Sequence, residues 1–244
     1  MRRLLIALLF LCCAPAWAVV AFDAFGSSTQ GTGNLSWTHT PAGTPKGVVV
    51  FVVENDGVDG VTSATYGGTS MTQCTGSPLQ HNTGEAGTIH CFTLLASVPT
   101  GTQTVSVTMS DTTTAKRGGS YTVTSSADTS ILDVDATISS DSLANPSVTM
   151  QLTALNGFCS IGFHSGQNAP TGITPLSGWT GNLENDFGTQ NAGWYKYDTV
   201  STADVTAGWT QGAEDAVMIA IVLKDSSETA SSFFPASRGP GPIY

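Results

Sequence analysis

Positive charge is what this chain has least of. Its 244 residues carry 8 Lys and Arg against 18 Asp and Glu, and charged residues make up only 11%. A surface so poor in cations repels phosphate instead of neutralising it, which excludes nucleic acid and argues against anionic lipid headgroups. Helical patterning is missing as well. Past residue 18, no stretch repeats apolar residues at i, i+3, i+4 and i+7 across three turns. The motifs of common chemistries are absent too. There is no Gly-x-Ser-x-Gly elbow, the nearest piece, Gly162-Phe163-His164-Ser165-Gly166, having the wrong spacing. No His-Glu-x-x-His occurs, and no glycine loop ending in lysine follows an apolar strand.

The one long-range signal at the start is topogenic. Arg2 and Arg3 precede the apolar run Leu4 to Leu11, and Ala16-Trp17-Ala18 offers a small-x-small cleavage site. That layout predicts a secretory signal peptide over 1–18 and a mature chain from Val19, with no transmembrane segment left in it. Cys12 and Cys13 raise a lipoprotein anchor as the alternative, but Leu11 ahead of Cys12 is not the small residue such cleavage wants. Without Arg2 and Arg3, 6 basic residues face 18 acidic ones, a net charge of −12. The expected location is extracellular or at the cell surface.

What fills the rest is β grammar. β-Branched runs separated by Gly, Pro, Asn and Asp predict strands at 20–25, 33–39, 47–54, 61–66, 69–74, 88–96, 102–109, 119–125, 131–137, 147–153, 157–164, 191–197, 204–209 and 215–224. GVVVFVV (from Gly47) and AVMIAIVL (from Ala216) are apolar at every position, so both belong mid-sheet with both faces covered. QTVSVTM (from Gln103) alternates, as a half-buried strand does. Asn55-Asp56-Gly57, Asp59-Gly60, Gly67-Gly68 and Asn156-Gly157 supply turns. The glycine-rich stretch 165–189 reads as a loop, and 226–244 as a flexible Pro/Gly-rich tail. In that tail Phe233, Phe234, Ile243 and Tyr244 leave a docking role open. The fold expected over 19–225 is a single all-β domain, a two-sheet antiparallel β-sandwich.

Candidate sites are few. Cys74 ends one predicted strand and Cys91 lies in the next, so a hairpin would bring them into a disulfide in an oxidising compartment. Cys159, inside GFCSIGF, reads as a small buried hydrophobe. Glu54, Asn55, Asp56 and Asp59 crowd hard oxygen ligands into one turn and make calcium the conceivable cofactor, although Asn-Asp-Gly is also ordinary turn chemistry. Trp179, Trp194, Tyr195 and Tyr197 are candidate stacking platforms for surface glycans, with core packing as their other fate. His39, His81, His90 and His164 are scattered, as are the acid pairs Asp133/Asp135, Glu184/Asp186 and Glu214/Asp215 that a glycosidase would need.

The order of the pieces adds a resemblance. VTSATYGGTSMT, Val61 to Thr72, follows VVVFVVENDG; around it lie LSWTHT, LLASVPTGTQTVSVTMS, GGSYTVTSSADTSILD and the closing AVMIAIVLKD. This series resembles a β-sandwich module of secreted bacterial and phage-associated structural proteins, marked by a Val-Thr-x-x-x-Tyr-Gly-Gly-x-x-Met/Leu-Thr hairpin. The resemblance implies a jelly-roll-like sandwich with surface or virion association and no catalytic residues to carry over. The tail after Lys224 has no counterpart in that pattern. The function expected is therefore a non-enzymatic structural or surface-interaction protein, self-associating or joined to other structural proteins. A carbohydrate-binding module is the alternative, and a polysaccharide-active hydrolase the second.

Overall fold

The computed structural model describes residues 19–81, 84, 86–139, 145–151, 157–166, 172–184, 187, 190–197 and 204–227. The expected signal peptide, 1–18, and the tail beyond Ser227 lie outside them. Among the described residues the chain is all β.

The first half contributes β1 (Ala21–Ser27), β2 (Leu35–His39), β3 (Gly47–Glu54), β4 (Val61–Tyr66), β5 (Thr69–Ser70), β6 (Thr72–Gln73), β7 (Leu79–His81), β8 (Gly87–Leu94), β9 (Gln103–Met109) and β10 (Lys116–Thr124). The second contributes β11 (Thr129–Ser139), β12 (Ser147–Met150), β13 (Phe158–Ser165), β14 (Thr174–Pro175), β15 (Trp179–Glu184), β16 (Asn191–Tyr197), β17 (Val205–Thr210) and β18 (Ala216–Asp225). They form four antiparallel sheets, and the sheets come in matching pairs. In the first half β1-β10-β3-β8-β6 faces β2-β9-β4-β5; in the second β11-β18-β13-β16-β15 faces β12-β17-β14.

Strand by strand the two orders superimpose. With β6 and β7 set aside, the first half has eight strands ordered 1-8-3-6 and 2-7-4-5, the winding of a jelly roll. The second half repeats 1-8-3-6 and 2-7-4, and β15 flanks β16 as β6 flanks β8. The expected jelly-roll-like sandwich is thus built twice in tandem, with four sheets in place of two.

Three cores hold the stack. Strands apolar at every position have two faces to bury, and they sit where two cores meet. Val49, Phe51 and Val53 of β3 enter a central core with Trp194, Val217, Ile219 and Ile221, between the long sheets of the two halves. Val48, Val50 and Val52 of the same strand enter the first half's own core with Trp37, Tyr66 and Val107. On β18, Met218, Ala220 and Val222 likewise face the second half's core with Phe163 and Trp209. β14 and β15 occupy part of the stretch expected to be loop; their alternation is broken by Pro175, Gly178 and Gly181, which hid it.

Candidate functional site

A buried charged cluster closes one end of the first half's core. Antiparallel register sets Lys116 of β10 directly opposite Glu54 of β3, and His90 of β8 opposite Val52. Glu54 shares the parity of Val48, Val50 and Val52, so it projects to the same core face, and Lys116 and His90 join it there. All three are fully buried. The carboxylate is held from several sides. Oε1 accepts from His90 Nε2 at 2.7 Å and from the Gly60 N–H at 3.1 Å. Oε2 makes no hydrogen bond, and the Lys116 ammonium lies 3.4 Å from it. Lys116 Nζ donates to Asp111 Oδ2 at 2.7 Å and to the Thr114 carbonyl at 3.1 Å.

Asp111, at the mouth of the cluster, is held well below the usual carboxylate range, first by the Lys116 hydrogen bond and then by those from Thr113. Because a carboxylate only accepts, the His90 nitrogen facing Glu54 carries the proton, and His90 Nδ1 is left buried without a hydrogen-bond partner.

Of the four residues expected to share a calcium ion, Asn55 and Asp56 turn away from Glu54. Glu54 turns into the core; Asn55 Oδ1 meets His164 Nε2 of the second half at 3.2 Å; Asp56 accepts from Thr114 Oγ1 at 2.5 Å and from the Val58 N–H at 3.3 Å. Successive residues alternate sides, which is why a run of ligands in sequence is not a cage in space. Glu54 and Asp59 do stay together around His90, with one ligand atom of each within 4.8 Å of the others. The cation beside Glu54 is the Lys116 ammonium.

The aromatic row is interior. Trp194 is fully buried in the central core, while Trp179 and Tyr195 lie in the second half's core, and Trp179 Nε1 donates to the Thr206 carbonyl at 2.9 Å. Tyr197, half-buried, packs against Trp179 with ring centroids 5.4 Å apart. No flat row of rings is therefore offered to a sugar by these four. Trp194 and Tyr195 do occupy opposite faces, as alternation requires.

Cys74 and Cys91 form the expected disulfide, with Cα atoms 5.3 Å apart. Cys159 is buried and unbridged, and burial pushes its thiol up. The four histidines do not converge. His39 bonds Ser120 Oγ at 2.7 Å and Thr122 Oγ1 at 3.0 Å, and burial lowers it to about 4. His164 lies between the halves and is likewise lowered to about 4 by burial. His81 Nε2 stands 3.7 Å from Asp215 Oδ1. Of the acid pairs, Asp133 accepts from the Gln151 N–H and Asp135 from the Ala136 N–H, Glu214 and Asp215 differ in burial, and Asp186 lies outside the described residues.

Lys116, Asp111, His90 and Gly60 are the members that the sequence did not announce. One signal was available: Glu54 follows the core-facing parity of an all-apolar strand, and a buried carboxylate demands a partner. Chemically, the arrangement sets an amine against one carboxyl in a dry site while a second carboxylate contacts that amine. The chain matches no family model, no curated protein and no solved structure in the comparisons made.

Proposed function

We propose that this is an exported, non-enzymatic structural or surface-interaction protein that works through the two outer faces of its sheet stack. The observation that carries the reading is the character of those faces. On β2, β9 and β4 the outward residues are Ser36, Thr38, Thr104, Ser106, Thr108, Ser63 and Thr65, wholly or partly exposed. On β12, β17 and β14 they are Ser147, Thr149, Thr206, Thr210 and Thr174.

Among the described residues, no strand of either outer sheet contains Asp, Glu, Lys or Arg, in a chain with 18 acidic residues. Like charges oppose the close approach of two copies, and an uncharged hydroxyl surface removes that opposition while keeping the face soluble. Short sheet edges beside these faces offer further pairing sites. The buried aromatic rings give the glycan-binding alternative no such support.

The test is fractionation of the native host culture, with the chain located by mass spectrometry, together with the oligomeric state of the purified protein. Recovery in particles, filaments or a surface fraction is expected, along with defined oligomers. Thr38→Lys with Thr104→Lys, and separately Thr206→Lys, should release folded monomer. A strict monomer that never enters any assembled or surface fraction overturns the proposal.

A further inference from the structure

We propose that Lys116 and Glu54 condense into an intramolecular amide, a covalent staple between β10 and β3. The duplicated fold provides an internal control for this cluster. In the second half β13 stands for β3, β18 for β10 and β16 for β8, and the paired positions can be read from the ladders. Glu54 opposite Lys116 corresponds to Ser165 opposite Ala216, and His90 to Gly193. None of the three corresponding positions of the second half carries a charge. Burying three ionisable groups is not a requirement of the architecture, and each buried charge costs several kcal/mol before its partners compensate. A cluster that the fold does not require is a place to look for chemistry.

The parts of an acyl transfer are in place. Lys116 Nζ is the nucleophile, 3.4 Å from Glu54 Oε2. Asp111 Oδ2, 2.7 Å from Nζ, is the proton acceptor. Its three hydrogen-bonding partners, Lys116, Thr113 and Thr114, keep it ionised, so it is the poorer electrophile of the two carboxyls and free to take a proton. The Gly60 N–H and His90 Nε2 both converge on Glu54 Oε1, where negative charge develops as Nζ adds to the carboxyl carbon. A Cβ on Gly60 would sit 2.5 Å from Glu54 Oε2 and push the carboxylate out of this arrangement.

In a dry site a neutral amine and acid carry no buried charge, and that is the form of the pair that condenses. Holding the pair in contact substitutes for an effective concentration on the order of 10⁵ M or more.

The step balances without any co-reactant. The Nζ–Cδ bond forms and the Cδ–Oε2 bond breaks. The ammonium gives up two protons and keeps one on the amide nitrogen. Both protons end on Oε2, carried there by Asp111, and water leaves past half-exposed Asp59. Oε1 becomes the amide oxygen and keeps its two donors.

Intact mass spectrometry of the secreted protein, reduced at Cys74–Cys91, reads the result directly. The expected mass is lower by one water than the mature sequence, and proteolysis should yield a branched peptide joining Lys116 to Glu54. Lys116→Arg keeps the charge and should show the full mass. In protein refolded from denaturant before any bond has formed, Asp111→Asn should slow the loss of water at least tenfold. An unmodified mass in the native protein overturns the proposal, and so does a branch joining Lys116 to Asp111. Neither outcome depends on whether the protein assembles.

Discussion

At the scale of single residues, burial has made two histidines, His39 and His164, acid-sensitive. His39 and His164 are buried neutral and titrate at about 4 in the folded state, against about 6.5 in an unfolded chain. Desolvation is the main cause in both, and Asp23 pulls His39 only part of the way back. Because the folded values are lowered, the unfolded chain binds more protons between these limits. Stability is therefore complete above about pH 6.5 and declines as pH falls towards 4.

Each histidine contributes about 3 kcal/mol to that decline. Asp111 and Asp225 extend it. Burial opposes ionisation of Asp225, but hydrogen bonds from Ser125, Ser227 and Ser126 outweigh it and hold the carboxyl well below its usual range. Both carboxylates therefore lose stabilisation only as pH falls below the ordinary carboxylate value. Urea unfolding at pH 7 and pH 4.5 should show a loss of several kcal/mol, and His39→Gln should remove about half of the slope. A stability unchanged between the two pH values would refute the assignment of buried neutral imidazoles.

At the scale of elements, glycines set how closely the halves approach, and two of them test it. A Cβ on Gly119 of β10 would lie 2.7 Å from the Trp194 ring, and one on Gly162 of β13 would lie 2.5 Å from Phe51. Both face the central core, where a strand of one half presses on a large ring of the other. Alanine at either site overpacks that interface, with an expected loss of about 1–3 kcal/mol in denaturant unfolding. Gly33, with nothing within 4 Å of its would-be Cβ, is the control and should tolerate alanine. Equal stability of Gly119→Ala and Gly33→Ala would mean the interface is looser than its geometry.

The elements were largely legible beforehand. β3, β9, β13, β16 and β18 lie where β-branched runs and turn residues put them, because strand period and burial are written locally. Cys74 and Cys91 were legible for the same reason, lying on neighbouring segments. The cluster around Glu54 was not, since register between β3, β8 and β10 is a long-range property. The aromatic row misled because alternation tells which residues share a face and not whether that face meets water.

At the scale of the whole molecule, the duplication was invisible in the sequence. β3 reads GVVVFVVE and its counterpart β13 reads FCSIGFHS, while β4 has six residues against two in β14. Only parity and winding are shared, so no residue period betrays the repeat. The consequence for stability lies in the central core, the largest of the three. Among the described residues it draws nine buried side chains from the first half and eight from the second. Separating the halves would expose Val49, Phe51 and Val53 on one side and Trp194, Ile219 and Ile221 on the other.

An apolar face of that size is a strong association surface, and its burial ties the two jelly rolls into one cooperative unit. Calorimetry of the intact protein should give a single transition whose calorimetric and van't Hoff enthalpies agree. A fragment ending at Ala127 should aggregate or dimerise through its bared long sheet, despite containing a complete jelly roll. Two resolved transitions, or a soluble monomeric fragment with native stability, would show that the halves merely touch, and that each outer core suffices for its own half.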